Sequence, residues 1–157
     1  MDDRGWLELA VDLAKECPPS DTAFSVGAVI VSASGAEIAR GHSRETDPTE
    51  HAEEAALAKA GPADLSGATV YSSLEPCGRR KSRPLPCARL LLQAGISRVV
   101  YAWREPPLFV EVEGADLLRA AGVTVVEIAE LADRAREPNA HLFPGRAAGR
   151  LGGPGLC

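Results

Sequence analysis

Strong positive charge and long apolar runs are both missing from this chain of 157 residues. Its formal net charge of −5 gives no overall attraction to a nucleic-acid backbone, and no stretch of about eighteen apolar residues offers a membrane span. Aromatic residues make up only 4% of the chain, so a long groove of basic and aromatic side chains for single strands is not expected. We therefore expect neither a polynucleotide nor a membrane as a partner.

The N-terminus lacks the basic and then apolar pattern of a secretory signal, because the chain starts Met1-Asp-Asp-Arg. We expect a cytoplasmic protein with reduced thiols, in which Cys17 and Cys157 have no functional interpretation. With 45% hydrophobic and 25% charged residues, the composition is that of a soluble globular domain. We assign residues 1–143 to this domain and expect the tail, 144–157, to be disordered, because it has little apolar surface to bury.

The spacing of apolar residues predicts helices that alternate with strands. The first two strands should form a hairpin, and the later strands, separated by helices, should run parallel. The fold class is therefore α/β, a three-layer α-β-α sandwich with a mixed five-stranded sheet. Predicted helices span 5–17, 50–60, 87–94, 114–121 and 129–141, and predicted strands span 26–32, 37–41, 69–73, 97–103 and 123–128.

The residues that carry chemistry are His51, Glu53, Cys77 and Cys87. His51, Cys77 and Cys87 offer one imidazole nitrogen and two thiolates, and a tetrahedral zinc with three protein ligands keeps one position for water. Glu53, two residues after the histidine, is placed to accept and return a proton. This combination predicts a catalytic zinc site, with a structural or vestigial zinc as the alternative. Thr49 or Asp47 is predicted to cap a helix that starts near Glu50, with the histidine in its first turn.

From Val26 to Phe143 the chain resembles the cytidine and deoxycytidylate deaminase superfamily, which shares the His-Ala-Glu and Pro-Cys motifs. It is most similar to the deaminase domain of the bifunctional riboflavin-pathway enzyme. That domain has Leu-Glu-Pro-Cys, then a basic loop closed by Pro-Cys, a helix, an Ala-Gly-Ile turn and a strand. Here these segments are 74–77, 78–87, 87–94, 94–96 and 98–102.

The resemblance implies a zinc-dependent hydrolytic deaminase with a cytidine deaminase-like fold. Its partners would be water and a small aminopyrimidine, of the diaminopyrimidine or cytosine type and with or without a phosphate, and the reaction would release ammonia. Glu53 would protonate the ring nitrogen and then the departing amine. The resemblance covers at most the deaminase half of the bifunctional enzyme, and we expect a homodimer or a higher homo-oligomer.

Two departures from the riboflavin-pathway pattern leave the substrate open. Ala23-Phe24-Ser25 stands where that family has Pro-Asn-Pro, and Phe-x-Val-Gly is closer to cytidine deaminases. Asp47-Pro-Thr-Glu-His51 is similar to guanine and tRNA adenosine deaminases. The alternatives are therefore a free nucleobase or nucleoside deaminase of salvage or natural-product metabolism, a non-catalytic zinc-bound relative, and a polynucleotide editor, which the acidic balance disfavours.

The loop between the two cysteines is basic, with four cations in five positions. Its residues Arg79, Arg80, Lys81, Ser82 and Arg83 are either a solvated surface or the contacts for a substrate phosphate, which Arg binds as a planar fork and Lys as a point charge. His42 is a candidate contact for the base, although a lone loop histidine is more often simply exposed. Phe24 and Trp103 could stack on the ring, but aromatic residues beside strands are more often core, and neither is assigned to the site.

Overall fold

The computed structural model describes residues 1–80, 82–104 and 114–143. Its five-stranded sheet has the order β2-β1-β3-β4-β5, and β1 pairs antiparallel with both β2 and β3. The pairs β3–β4 and β4–β5 are parallel, which confirms the mixed sheet. The strands are β1 (Gly27–Val31), β2 (Glu37–His42), β3 (Thr69–Leu74), β4 (Arg98–Trp103) and β5 (Thr124–Glu127).

The helices form two layers, which confirms the three-layer sandwich. One layer holds α1 (Asp3–Leu13) and α5 (Ala132–Arg136), and the other holds α2 (Ala52–Ala60), α3 (Cys87–Gln93) and α4 (Gly114–Ala120). Two glycines let α1 and α2 approach the sheet closely. A Cβ on Gly27 would lie 2.1 Å from Ala10 O in α1, and one on Gly41 would lie 2.6 Å from Ala56 N in α2. Gly41 pairs with Ala28, the neighbour of Gly27, so the two helices cover opposite faces.

The start of α2 differs from the prediction. The helix begins at Ala52 and its N-cap is His51, not Thr49 or Asp47. Glu54 Oε1 accepts a hydrogen bond from His51 N at 2.9 Å, which completes a capping box. Asp47 Oδ1 instead accepts from Thr49 N at 2.8 Å within the preceding loop. The consequence for the site is that His51 has extended backbone at the helix end, while Glu53 lies in the first turn.

The C-terminal helix predicted for 129–141 is divided into three short elements. Two 3₁₀ segments, Ala129–Leu131 and Glu137–Leu142, flank α5. Pro138 lacks an amide hydrogen and cannot continue the α-helical hydrogen bonds, and it lies in the first turn of the second 3₁₀ segment. The tail predicted for 144–157, with Cys157, lies outside the described residues. Within the ranges that the structure covers, no helix is long and apolar enough to cross a membrane.

The start of α1 is fixed to the sheet by an ion pair. Arg98 Nη1 and Nη2 donate to the two Asp3 carboxylate oxygens at 2.7 and 2.5 Å, and Tyr71 Oη donates to Asp3 Oδ1 at 2.7 Å. The hydrogen bond from Arg98 lowers the pKa of Asp3 to about 2. A carboxylate whose pKa is lower in the folded state stabilises the fold most where it is ionised in both states.

We predict that Asp3→Asn lowers the free energy of unfolding at pH 7 by about 1 kcal/mol, because the pair is partly exposed and screened by solvent. The contribution of Asp3 should be complete above pH ~4, the unfolded pKa, and should disappear as the pH falls through about 2. Urea unfolding from pH 7 to pH 2.5 measures this, with Asp133→Asn as a control for the more exposed pair with Arg136. If the difference in the free energy of unfolding between Asp3→Asn and the original chain stays constant down to pH 2.5, the ionised Asp3 carboxylate is not the source of that stability.

Candidate metal centre and substrate cavity

His51, Cys77 and Cys87 come together from three separate elements. His51 caps α2, Cys77 lies in the turn after β3, and Cys87 is the first residue of α3. Their donor atoms all lie within 4.8 Å of one another, with His51 Nδ1 3.2 Å from Cys87 Sγ and 3.7 Å from Cys77 Sγ. Zinc bonds of about 2.0–2.3 Å at tetrahedral angles separate neighbouring donors by roughly 3.5–3.8 Å. The residues present therefore fit a zinc ion.

The surroundings of the two sulfurs also favour a cation. Cys87 N donates to Cys77 Sγ at 3.2 Å, and both side chains are buried. The hydrogen bond with Cys77 and burial raise the pKa of the Cys87 thiol well above its usual value. A metal ion bound between these two buried thiols would stabilise their ionised form, which burial otherwise disfavours.

The turn that carries Cys77 is held against α4. The buried Glu75 side chain accepts a hydrogen bond from Ala115 N at 2.9 Å, and Glu75 N donates to Trp103 O at 2.7 Å. A Cβ on Gly114 would lie only 1.7 Å from Pro76 O, so this contact requires glycine. The Leu-Glu-Pro-Cys segment is thus fixed by its backbone and by one carboxylate.

Glu53 lies beside the donors and lines a cavity of about 180 Å³ together with His51 and Cys77. Its side chain is buried, and Oε2 is 3.2 Å from Ser72 Oγ, which is 2.7 Å from Leu74 O. Burial raises the pKa of Glu53 above that of an exposed glutamate. A carboxyl group in this position is suited to exchanging protons with a molecule in the cavity.

Phe24 forms one wall of the cavity, which is the position that stacking on a bound ring requires. The Trp103 ring packs edge-on against the Phe24 ring, with their centroids 5.1 Å apart. The Phe143 ring stacks on the Phe24 ring, with their centroids 6.4 Å apart. Trp103 therefore supports the wall from behind, as a core residue. Phe24 comes just before β1, and because β1 runs antiparallel to β3, the start of β1 lies beside the end of β3 that leads to Cys77.

The segment that carries Phe24 is held by residues that the sequence analysis did not identify. Arg44, with φ 57°, donates to Phe24 O at 2.9 Å, to Pro18 O at 2.7 Å and to Ser25 Oγ at 2.7 Å. Asn139 accepts from Ser25 N at 2.6 Å and donates to Ser25 O at 3.0 Å. Arg44 also lines the cavity, as does the buried Glu50, whose Oε1 accepts from Thr46 N at 2.7 Å. No local pattern marks these long-range contacts.

The predicted substrate residues fall into different environments. Ser82 lines the cavity and Arg79 is exposed, whereas Arg80 and Arg83 form ion pairs with Glu54. Lys81 lies outside the described residues.

His42 lies at the end of β2, with Nδ1 3.1 Å from Ser43 O and Nε2 3.7 Å from Glu45. Among the described residues that line the cavity are Ser43 and Arg44 but not His42. Its role in binding the base stays a prediction.

Comparison with known proteins places this architecture in a family. Residues 1–103 match the cytidine and deoxycytidylate deaminase zinc-binding region. The diaminohydroxyphosphoribosylamino-pyrimidine deaminase of Schizosaccharomyces pombe is 45% identical over 126 residues, which is 78% of this chain and 31% of that protein. RibD of Aquifex aeolicus is 36% identical, over 90% of this chain and 38% of its own length.

A solved structure of Acinetobacter baumannii RibD matches 88% of this chain and 38% of that chain, with a TM-score of 0.77 and 34% identity. The chain thus spans about a third of the length of the curated relatives it matches. The arrangement of His51, Glu53, Cys77 and Cys87 agrees with the sequence match. The chain belongs to the cytidine and deoxycytidylate deaminase family with its zinc-binding region.

Proposed function

We propose that this protein is a zinc-dependent hydrolytic deaminase that removes an amino group from a small aminopyrimidine. The observation that carries the proposal is the meeting of three metal donors beside a cavity whose lining includes two of them, His51 and Cys77, together with a buried carboxyl, Glu53. We assign His51, Cys77 and Cys87 as the zinc ligands and Glu53 as the acid/base.

Zinc bound by these ligands would supply a water molecule with a lowered pKa. The protein's own contribution is to move protons and to hold the ring. Glu53 would take a proton from the water and give it to the ring nitrogen next to the carbon that carries the amino group, so that the oxygen of the water can bond to that carbon. It would then carry the second proton of the water to the amino group, and the carbon–nitrogen bond would break to release ammonia. The wall that includes Phe24 would restrict the cavity to ligands with a planar ring and would exclude bulk water.

We further propose a phosphorylated diaminopyrimidine as the substrate, because the relative from S. pombe carries that name and is 45% identical. Of the predicted phosphate contacts, Arg79, Lys81 and Ser82 are retained here. The second candidate is an unphosphorylated base or nucleoside, and the observation that favours it is the neutralisation of Arg80 and Arg83 by carboxylates. The predicted homo-oligomer and the predicted cytoplasmic location stay predictions.

For the metal ligands, we predict that the protein binds about one zinc per chain and that Cys77→Ala and Cys87→Ala each lose it and unfold at lower temperature. Each substitution removes one of three donors, and metal binding contributes directly to folding free energy. Elemental analysis and thermal unfolding of the purified proteins measure both effects. Cys17→Ala is the matched control, since Cys17 lies apart from the donor group and should retain zinc. Full zinc content in both ligand variants would overturn the assignment.

For the acid/base, we predict that Glu53→Gln keeps its zinc and its fold but loses turnover by about 10²-fold to 10⁴-fold, because the amide keeps the shape and cannot carry the proton. Ammonia release is measured against cytosine, guanine and diaminopyrimidine compounds, each with and without ribose phosphate. Glu8→Gln serves as the control, as Glu8 forms an exposed pair with Arg4 on α1. Near-normal turnover in Glu53→Gln would mean that another residue moves the proton, and no ammonia from any compound with the original chain would reject the proposed activity.

A further inference from the structure

A cluster of two arginines and two carboxylates connects the basic loop to the start of α2. Glu54 Oε1 accepts from Arg80 Nη1 at 2.8 Å, and Glu54 Oε2 accepts from Arg83 Nε at 3.1 Å. Arg83 Nη2 also pairs with Asp47 Oδ2 at 2.7 Å. We refer to Asp47, Glu54, Arg80 and Arg83 as the arginine–carboxylate cluster. Its two positive and two negative charges compensate each other.

The cluster is bonded directly to the backbone of a metal ligand. The Glu54 oxygen that pairs with Arg80, Oε1, also accepts from His51 N at 2.9 Å. Arg80 Nη2 donates to Thr49 O at 2.6 Å, two residues before the ligand. The backbone from Thr49 to His51 is therefore held by one guanidinium and one carboxylate.

Arg80 reaches the second ligand-bearing helix as well. Its Nη1 lies 4.0 Å from Cys87 Sγ, so the same guanidinium faces Glu54 and the sulfur at the start of α3. The Arg80 side chain is 0% exposed. The residue as a whole is only half-buried because its backbone is accessible to solvent. A planar fork with donors on several sides can make these contacts simultaneously, whereas an ammonium group cannot.

These contacts conflict with a role of Arg80 and Arg83 in binding a substrate phosphate. To bind a dianion, each guanidinium would have to leave a carboxylate or share its donors with one. The side chains of Arg80 and Glu54 are only 0% and 18% exposed, so moving Arg80 away from Glu54 would leave an uncompensated buried charge. Arg83 and Asp47 are 32% and 43% exposed, and their pair contributes less. The conflict is therefore strongest for Arg80.

We infer that Arg80 and Arg83, acting through Glu54, are positioning residues for the metal ligands: the arginine–carboxylate cluster fixes His51 and places a positive charge beside Cys87. The inference rests on the zinc site of the proposed function, although not on its substrate. The basic loop thereby orders the metal centre through Arg80 and Arg83.

The test is the zinc affinity of the full chain, measured by competition with a chromogenic chelator for Arg80→Gln, Arg83→Gln and Glu54→Gln. Groups that orient metal ligands typically contribute 10–100-fold to metal affinity, so we expect the dissociation constant to rise by roughly that factor in each variant. Arg136→Gln is the matched control, because Arg136 forms an exposed pair with Asp133, and it should change the constant by less than about threefold. Arg80→Lys should recover only part of the loss, since it restores the charge without the fork.

A purely structural role is separated from positioning by two further measurements. Unfolding of the zinc-free proteins shows how much the fold itself is weakened. The absorption spectrum of the cobalt(II)-substituted proteins reports the geometry and the thiolate bonds of the metal. We expect the thiolate-to-cobalt bands of Arg80→Gln to shift relative to those of Arg136→Gln. If Arg80→Gln does not fold, the zinc affinities of Arg83→Gln and Glu54→Gln still test the inference.

The inference is overturned if all three cluster variants bind zinc as tightly as Arg136→Gln. It is also overturned if Arg80→Gln and Arg83→Gln, at saturating zinc, lose kcat/KM selectively on phosphorylated substrates, since that result assigns the arginines to the phosphate. Equal losses on phosphorylated and unphosphorylated compounds support it. If the original chain binds zinc but releases ammonia from none of the compounds, the proposed function fails, and the zinc affinities still decide the role of the cluster.

Discussion

Three donor atoms from distant parts of the chain must lie within one coordination sphere, and much of the surrounding structure serves this requirement. His51 and Cys77 are 26 positions apart in the chain, and their donors are 3.7 Å apart in space. The sheet brings them together because β3, which leads to Cys77, pairs with β1, and α2 packs on β1. The second cysteine then follows at the start of α3, which packs against α2. The metal donors thus meet where two helices begin and one strand ends.

Burying two thiols and a carboxyl close together carries an energetic cost, and the neighbouring side chains reduce it. Burial raises the pKa of Glu53, and the hydrogen bond with Cys77, together with burial, raises the pKa of Cys87, so their ionised forms need compensating charge or hydrogen bonds. Arg80 supplies a buried positive charge beside Cys87, and Glu54 balances that arginine. The same arrangement orders the backbone at His51. Charge balance and ligand geometry therefore depend on the same few residues.

The sheet and the metal donors could be predicted from the sequence because both depend on local patterns. Apolar periodicity indicated every strand, and the His-Ala-Glu and Pro-Cys motifs indicated the donors that the structure brings together. The helix start was placed wrongly, because His51 rather than a typical capping residue ends the loop. The partners of Arg80 and Arg83 could not be predicted, since which carboxylate a loop arginine meets is decided by tertiary packing. The hydrogen bond between Asn139 and Ser25 joins residues 114 positions apart, so no local sequence pattern predicts it.

The most direct test of this account is anomalous diffraction at the zinc absorption edge from crystals of the zinc-loaded protein. The account predicts one peak at bonding distance, about 2.0–2.3 Å, from His51 Nδ1 and the sulfurs of Cys77 and Cys87. The Glu53 carboxyl should face the cavity without bonding to the metal, which keeps a position open. A zinc ion bound to other residues, or one that takes Glu53 as a fourth ligand, would contradict the account.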